Sequence, residues 1–105
     1  GREDAMIKSA GNRISPQEVE EAVLLGGEAA EAAAFGVPDD RLGQAIMVVA
    51  RASGDPVDAE AALRQRLRRD LPSFMQPAHY EWRTDLPRNA NGKLDRARLR
   101  AELAS

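Results

Sequence analysis

Met6-Ile7-Lys8-Ser9-Ala10-Gly11-Asn12-Arg13-Ile14-Ser15-Pro16-Gln17-Glu18-Val19 carries a chain reversal and a helix start back to back. Residues 5–9 and 12–14 flank Ala10-Gly11, where glycine permits the reversal of a tight hairpin. Ser15 then stands as N-cap with Pro16 at the first helical position and Glu18 three residues after the cap, the pattern of a capping box. Val19, Ala22 and Val23 fall on one face of the predicted helix. Glu18, Glu20 and Glu21 fall on its outer side, where they read as solvated surface. Gly26-Gly27 stops it.

Outward from that stretch, the alanine-rich residues 29–36 stay open on local grounds. Propensity favours helix, whereas the bounding Gly27 and Gly36-Val37-Pro38-Asp39 favour a short strand. Ile46-Met47-Val48-Val49-Ala50 is continuously apolar and β-branched, which predicts a buried strand ending at Ser53-Gly54-Asp55-Pro56. Asp58 is expected to cap a second helix running to about Asp70, with Leu63 and Leu67 inward and a stop near Leu71-Pro72. His79 to Arg83 alternates as a half-buried strand should, with Tyr80 and Trp82 on the core side. Asp95 can cap a last helix, with Leu94 and Leu99 as a hydrophobic staple and Leu103 one turn beyond.

Between that strand and that helix lies Leu86-Pro87-Arg88-Asn89-Ala90-Asn91-Gly92-Lys93-Leu94-Asp95-Arg96. Pro87 fixes one backbone angle and Asn91-Gly92 tolerates positive φ, so the loop can hold a side chain in a chosen direction. The side chain at its end is Lys93, a long cation suited to an anionic substrate.

The chain has 105 residues, no cysteine, one histidine and a net charge of -2. That length fits one small domain with a modest core and little room for an active site of its own. Disulfides and thiolate metal sites are excluded, and one histidine rules out multi-histidine zinc arrangements. His79 has no second ligand or nucleophile near it in sequence. No apolar run approaches the roughly twenty residues of a membrane span, and no signal-peptide pattern is visible, so a cytoplasmic location is the default expectation. Arg64, Arg66, Arg68 and Arg69 interleave with Leu63, Leu67 and Leu71 at helical spacing, which reads as the solvated face of an amphipathic helix. A noncatalytic RNA-binding module is the competing reading. The few aromatics form no stacking platform, which speaks against nucleic acid.

The cluster from Gly1-Arg2-Glu3-Asp4-Ala5 through Glu20, taken with the Lys93 loop, resembles the C-terminal domain of the adenylate-forming enzymes. These are the acyl- and aryl-CoA synthetases, the adenylation domains of nonribosomal peptide synthetases, and firefly luciferase. Met6-Ile7-Lys8 through Ser15-Pro16, and Gly36-Val37-Pro38-Asp39, look most like bacterial acyl-CoA ligases, including those associated with exosortase and exopolysaccharide gene clusters. The resemblance makes residues 29–36 a strand. The expected order is then hairpin, helix, strand, strand, helix, strand, loop, helix (ββαββαβα), an α+β fold with a small sheet and about three packed helices.

The same resemblance implies a function. Residues 1–105 would be the mobile C-terminal lid of an ATP-dependent, AMP-forming acid-thiol ligase, a piece of a longer protein, with residues 1–4 ending an interdomain hinge. Lys93 matches the catalytic lysine of carboxylate adenylation, and acetylation there would remove its charge. Asp4 matches the hinge position about which the domain rotates, and Arg2 begins that motif. Gly11 matches the glycine beside which a pantetheine arm passes, although closing the hairpin is reason enough for it. Lys8 and Arg13 flank it with charge for CoA phosphates or for ordinary surface ion pairs. The implied partners are the chain's own N-terminal domain, a carboxylic acid, ATP with Mg held mainly by that domain, and CoA. A carrier-protein pantetheine, as in a peptide synthetase, would suit the motifs equally.

Overall fold

The computed structural model describes residues 6–103; the positions of Asp4 and Arg2 lie outside them. Strands β1 (Ile7–Ser9) and β2 (Asn12–Ile14) form the hairpin, followed by α1 (Pro16–Leu25), β3 (Ala29–Asp39), β4 (Gly43–Ala52), α2 (Pro56–Asp70), a 3-10 turn (Ser73–Met75), β5 (His79–Trp82) and α3 (Arg96–Leu103). The order and the α+β class are those expected. The sheet runs β2-β1-β4-β3, and β5 joins β4 in parallel while every other pair is antiparallel. Two-residue reversal at Ala10 (φ 53°) and Gly11 (φ 82°) links β1 to β2 as a hairpin with both central residues left-handed.

β3 and β4 make the long central ribbon, paired from Ala29↔Ala52 to Asp39↔Gly43. Alternation sends Ala32 and Ala34 to one face with Ile46, Val48 and Ala50, and Ala33 and Phe35 to the other with Val49. Helices α1 and α2 cover the first face through Val19, Val23, Leu63 and Leu67. Leu99 of α3, with Leu86 and Leu94 of the preceding loop, covers the second. From Ala32 to Phe35 both faces of β3 are therefore buried, so these alanines, good helix formers alone, are held as strand by the bulk of Ile46, Val48 and Val49 across the ladder. Tyr80 and Trp82 stack at 6.0 Å between ring centroids and pack on the first cluster, as the alternation predicted.

The caps follow local chemistry with two corrections. Ser15 Oγ accepts from Glu18 N–H at 3.4 Å, but among the described residues the reciprocal bond of a capping box is not made. The second helix begins at Pro56 and its N-cap is Asp55, whose carboxylate accepts from Val57 N–H at 2.8 Å and Asp58 N–H at 3.4 Å. Asp58 is an acid of the first turn instead of the cap, because proline at the first helical position moves the boundary back. Asp95 caps α3 by accepting from Arg98 N–H at 3.0 Å, and Leu94 packs against the cluster that holds Leu99, in keeping with the staple.

Candidate functional site

The Lys93 loop is a closed miniature hairpin. Arg88 and Leu94 form a β-bridge, Asp95 N–H donates to Pro87 C=O at 2.9 Å, and Asn89 N–H donates to Lys93 C=O at 2.8 Å. Inside it, Asn89 Oδ1 accepts from Asn91 N–H (2.9 Å) and Lys93 N–H (3.1 Å), and Gly92 supplies the left-handed residue at φ 79°. The asparagine thus replaces missing ladder bonds with its own side chain. Lys93 is exposed, and among the described residues its side chain has no ion pair. Its charge is available to a ligand.

Around it, the loop's other cations are paired. Arg88 pairs with Glu31 of β3, whose carboxylate also binds Arg51 Nε of β4 at 3.1 Å. Burial alone would raise the Glu31 pKa, but hydrogen bonds from Arg88 and Arg51 outweigh it and hold the carboxyl below its usual range. On the far side of the loop, Arg96 pairs with Glu20 of α1. That carboxylate also accepts from Ala34 N–H at 2.8 Å, on the edge of β3 that faces away from β4. Glu20 is 5% exposed, so the expectation that it is solvated fails. It satisfies an edge donor of the sheet and reaches an arginine from the opposite layer.

The arginine-rich helix differs from its expected character in the same way. Arg66 is largely enclosed; its guanidinium binds Glu28 (2.9 Å), Asp70 (3.2 Å) and the C=O groups of Ala22 (2.9 Å) and Val23 (3.1 Å) at the end of α1. Arg64 pairs with Glu60 at 2.9 Å and lies over the Tyr80 ring at 4.6 Å. These two cations are spent within the domain, which leaves Arg68 and Arg69 exposed and weakens the case for a polyanion-binding face.

The glycine hairpin sits elsewhere. It attaches to the start of β4 through the pair Ser9↔Gly43, the bond from Ala10 N–H to Leu42 C=O (2.8 Å) and the bond from Lys8 N–H to Gln44 Oε1 (2.7 Å). Lys8 and Arg13 are cross-strand partners, both exposed, and neither makes an ion pair among the described residues. A Cβ on Gly11 would meet nothing within 4 Å in this domain, so its φ of 82° is what the fold itself requires of it. Along β3, Glu31 marks the Lys93 end of the ribbon and Asp39↔Gly43 the hairpin end. At about 3.3 Å per residue these attachment points are roughly 25 Å apart.

Among the described residues, then, the domain carries two exposed basic elements without ion pairs, the Lys93 loop and the Lys8–Arg13 hairpin, each beside a positive-φ glycine. The family profile described as "AMP-binding enzyme C-terminal domain" matches residues 18–93, ending on Lys93, and the chain belongs to that family. It is 39% identical to acetyl-coenzyme A synthetase 2 of Pseudomonas aeruginosa over 95% of this chain and 16% of that protein. It is equally 39% identical to a probable nonribosomal peptide synthetase of Salinispora arenicola, over 94% of this chain and 1% of that protein. The solved acyl-CoA synthetase of Brucella canis superposes with a TM-score of 0.82 at 32% identity, covering 99% of this chain and 20% of that one. The chain therefore spans at most a fifth of these relatives' lengths.

Proposed function

We propose that this chain is the mobile C-terminal domain of an ATP-dependent, AMP-forming acyl-CoA ligase, in which Lys93 serves carboxylate adenylation and the Lys8–Arg13 hairpin serves thioester formation. The observation that carries the reading is the pairing of an uncompensated Lys93 on a closed loop with a separate glycine hairpin, the two attached to the ribbon at points roughly 25 Å apart along β3. Elements attached at such separate points are suited to attending one reacting centre by turns. They can take turns if the domain rotates, with Asp4 in the hinge.

In adenylation, a carboxylate oxygen attacks the α-phosphorus of ATP and the bond to pyrophosphate breaks. Two anions must approach while charge moves onto the leaving group. A lysine touching both offsets their repulsion and holds the attack geometry, with no reorganisation at the moment of reaction. Mg and most of ATP would be held by the rest of the enzyme, in the cytoplasm. After rotation, Lys8 and Arg13 would face the phosphates of CoA, and Gly11 would leave its pantetheine arm unobstructed. The equal identity to a peptide synthetase supports a second acceptor, a carrier-protein pantetheine.

Lys93→Ala in the full-length ligase tests the reading. Lys93 is exposed and keeps its backbone bonds in the variant, so folding should change by no more than about 0.5 kcal/mol. ATP-pyrophosphate exchange should fall on the order of 100- to 1000-fold. Thioester formation from a supplied acyl-adenylate should change little. Equal losses in both half-reactions would refute the assignment.

A further inference from the structure

The Lys93 loop is closed upon itself, but closure does not aim it. Its contacts with the sheet are of two kinds: Leu86 and Leu94 pressed into the second core cluster, and the two arginines at its feet. Apolar packing is non-directional, whereas a charge-assisted hydrogen bond from an arginine to a held carboxylate has a preferred distance and direction. We infer that Glu31 and Glu20 are positioning residues for Lys93, gripping Arg88 before the loop and Arg96 after it; the inference rests on the adenylation role proposed above.

Each grip is anchored on β3 of the central ribbon. Glu31 projects from β3 opposite its ladder partner Arg51, which braces the carboxylate from the other side. Glu20 is fixed by Ala34 N–H on the same strand, at the sheet edge between the α1 layer and the α3 layer. One strand thus orients both feet. The pairs also engage the loop's other two cations, Arg88 and Arg96, so that Lys93 is the one cation of residues 86–96 without an ion pair among the described residues.

Order parameters of the loop amides in this chain, compared with those of β3 and β4 as internal reference, test the grip. The Lys93 amide should be near 0.85, as in the sheet, and should fall below about 0.6 in Glu20→Gln/Glu31→Gln and in Arg88→Gln. Arg51→Gln removes the same number of charges from the same carboxylate but holds no foot of the loop, so it should leave Lys93 ordered. An ordered loop in the double variant, or equal loosening by Arg51→Gln, overturns the inference. In the full-length ligase the double variant should lower kcat of adenylation on the order of 10- to 100-fold with the KM for ATP nearly unchanged and thioester formation intact. A mobile loop with undiminished adenylation also overturns it. Lys93→Ala with full adenylation would instead refute the proposed function and leave the order-parameter result standing.

Discussion

Glu20→Ala should be among the more damaging single truncations of a charged residue in this domain. Two interactions end on its carboxylate, and they are not worth the same. Ala34 N–H is on a residue 2% exposed, and losing its only acceptor leaves a buried donor unsatisfied, at about 1–3 kcal/mol. Arg96 is 44% exposed and borders a cleft of about 420 Å³, so water can replace the carboxylate there and the loss is under about 1 kcal/mol. The sum, about 1–4 kcal/mol, corresponds to a Tm drop of roughly 5–18 °C for a domain of this size. Glu20→Gln keeps an acceptor for Ala34 N–H and should cost about a third of that. Thermal unfolding followed by circular dichroism, with urea titration to confirm an unchanged m-value, checks both. Equal Tm values for the alanine and glutamine variants would show that the Ala34 bond contributes nothing, and the edge-satisfaction argument would fail.

The caps and the Arg66 cluster give two further expectations. Asp55→Ala should cost about 1 kcal/mol in urea unfolding by removing the acceptor for Val57 and Asp58 N–H, whereas Asp58→Ala, which caps nothing, should cost a few tenths. A larger loss at Asp58 would return the helix start to that residue. Glu28 is held below its ordinary value of 4.5, chiefly by the hydrogen bond from Arg66 and against the opposing effect of burial. Below pH 4.5 the unfolded state then binds more protons than the folded one, so this group's contribution is present above that pH and is lost as pH falls through the depressed folded value. Arg66→Gln should lower Tm at every pH by freeing the Ala22 and Val23 carbonyls, and should flatten the fall of Tm with acid below 4.5. An unchanged acid slope would mean that Glu28 does not depend on Arg66.

What was legible in the chain was what neighbours in sequence decide. Ala10-Gly11, Ser15-Pro16 and Leu94-Asp95…Leu99 each state a turn, a cap or a staple within a few residues, and each forms as written. Asp55 lies in Ser53-Gly54-Asp55-Pro56, whose composition reads as loop, although a proline directly after an acid is itself a helix-start signal. The alanines of β3 carry no such statement. Their strand state comes from covering both faces with residues far along the chain, and only a family likeness could supply it beforehand.

The charged residues show the limit most clearly. Glu20 and Arg96 meet across 76 positions, and nothing near either one distinguishes it from Glu18 or Arg98. A helix wheel assigns Glu20 to the outer side because the wheel contains only the helix; the free edge of β3 lies just there, with an unpaired N–H to satisfy. Arg66 is likewise drawn inward by the unsatisfied carbonyls at the end of α1. In both cases the decisive partner is a backbone group that an adjoining element leaves open. Such groups become predictable once topology is known: each edge strand and helix end can be asked what completes it. For this domain the answer links the sheet edge to the lysine, since the arginine that Glu20 recruits while completing β3 stands three residues after Lys93.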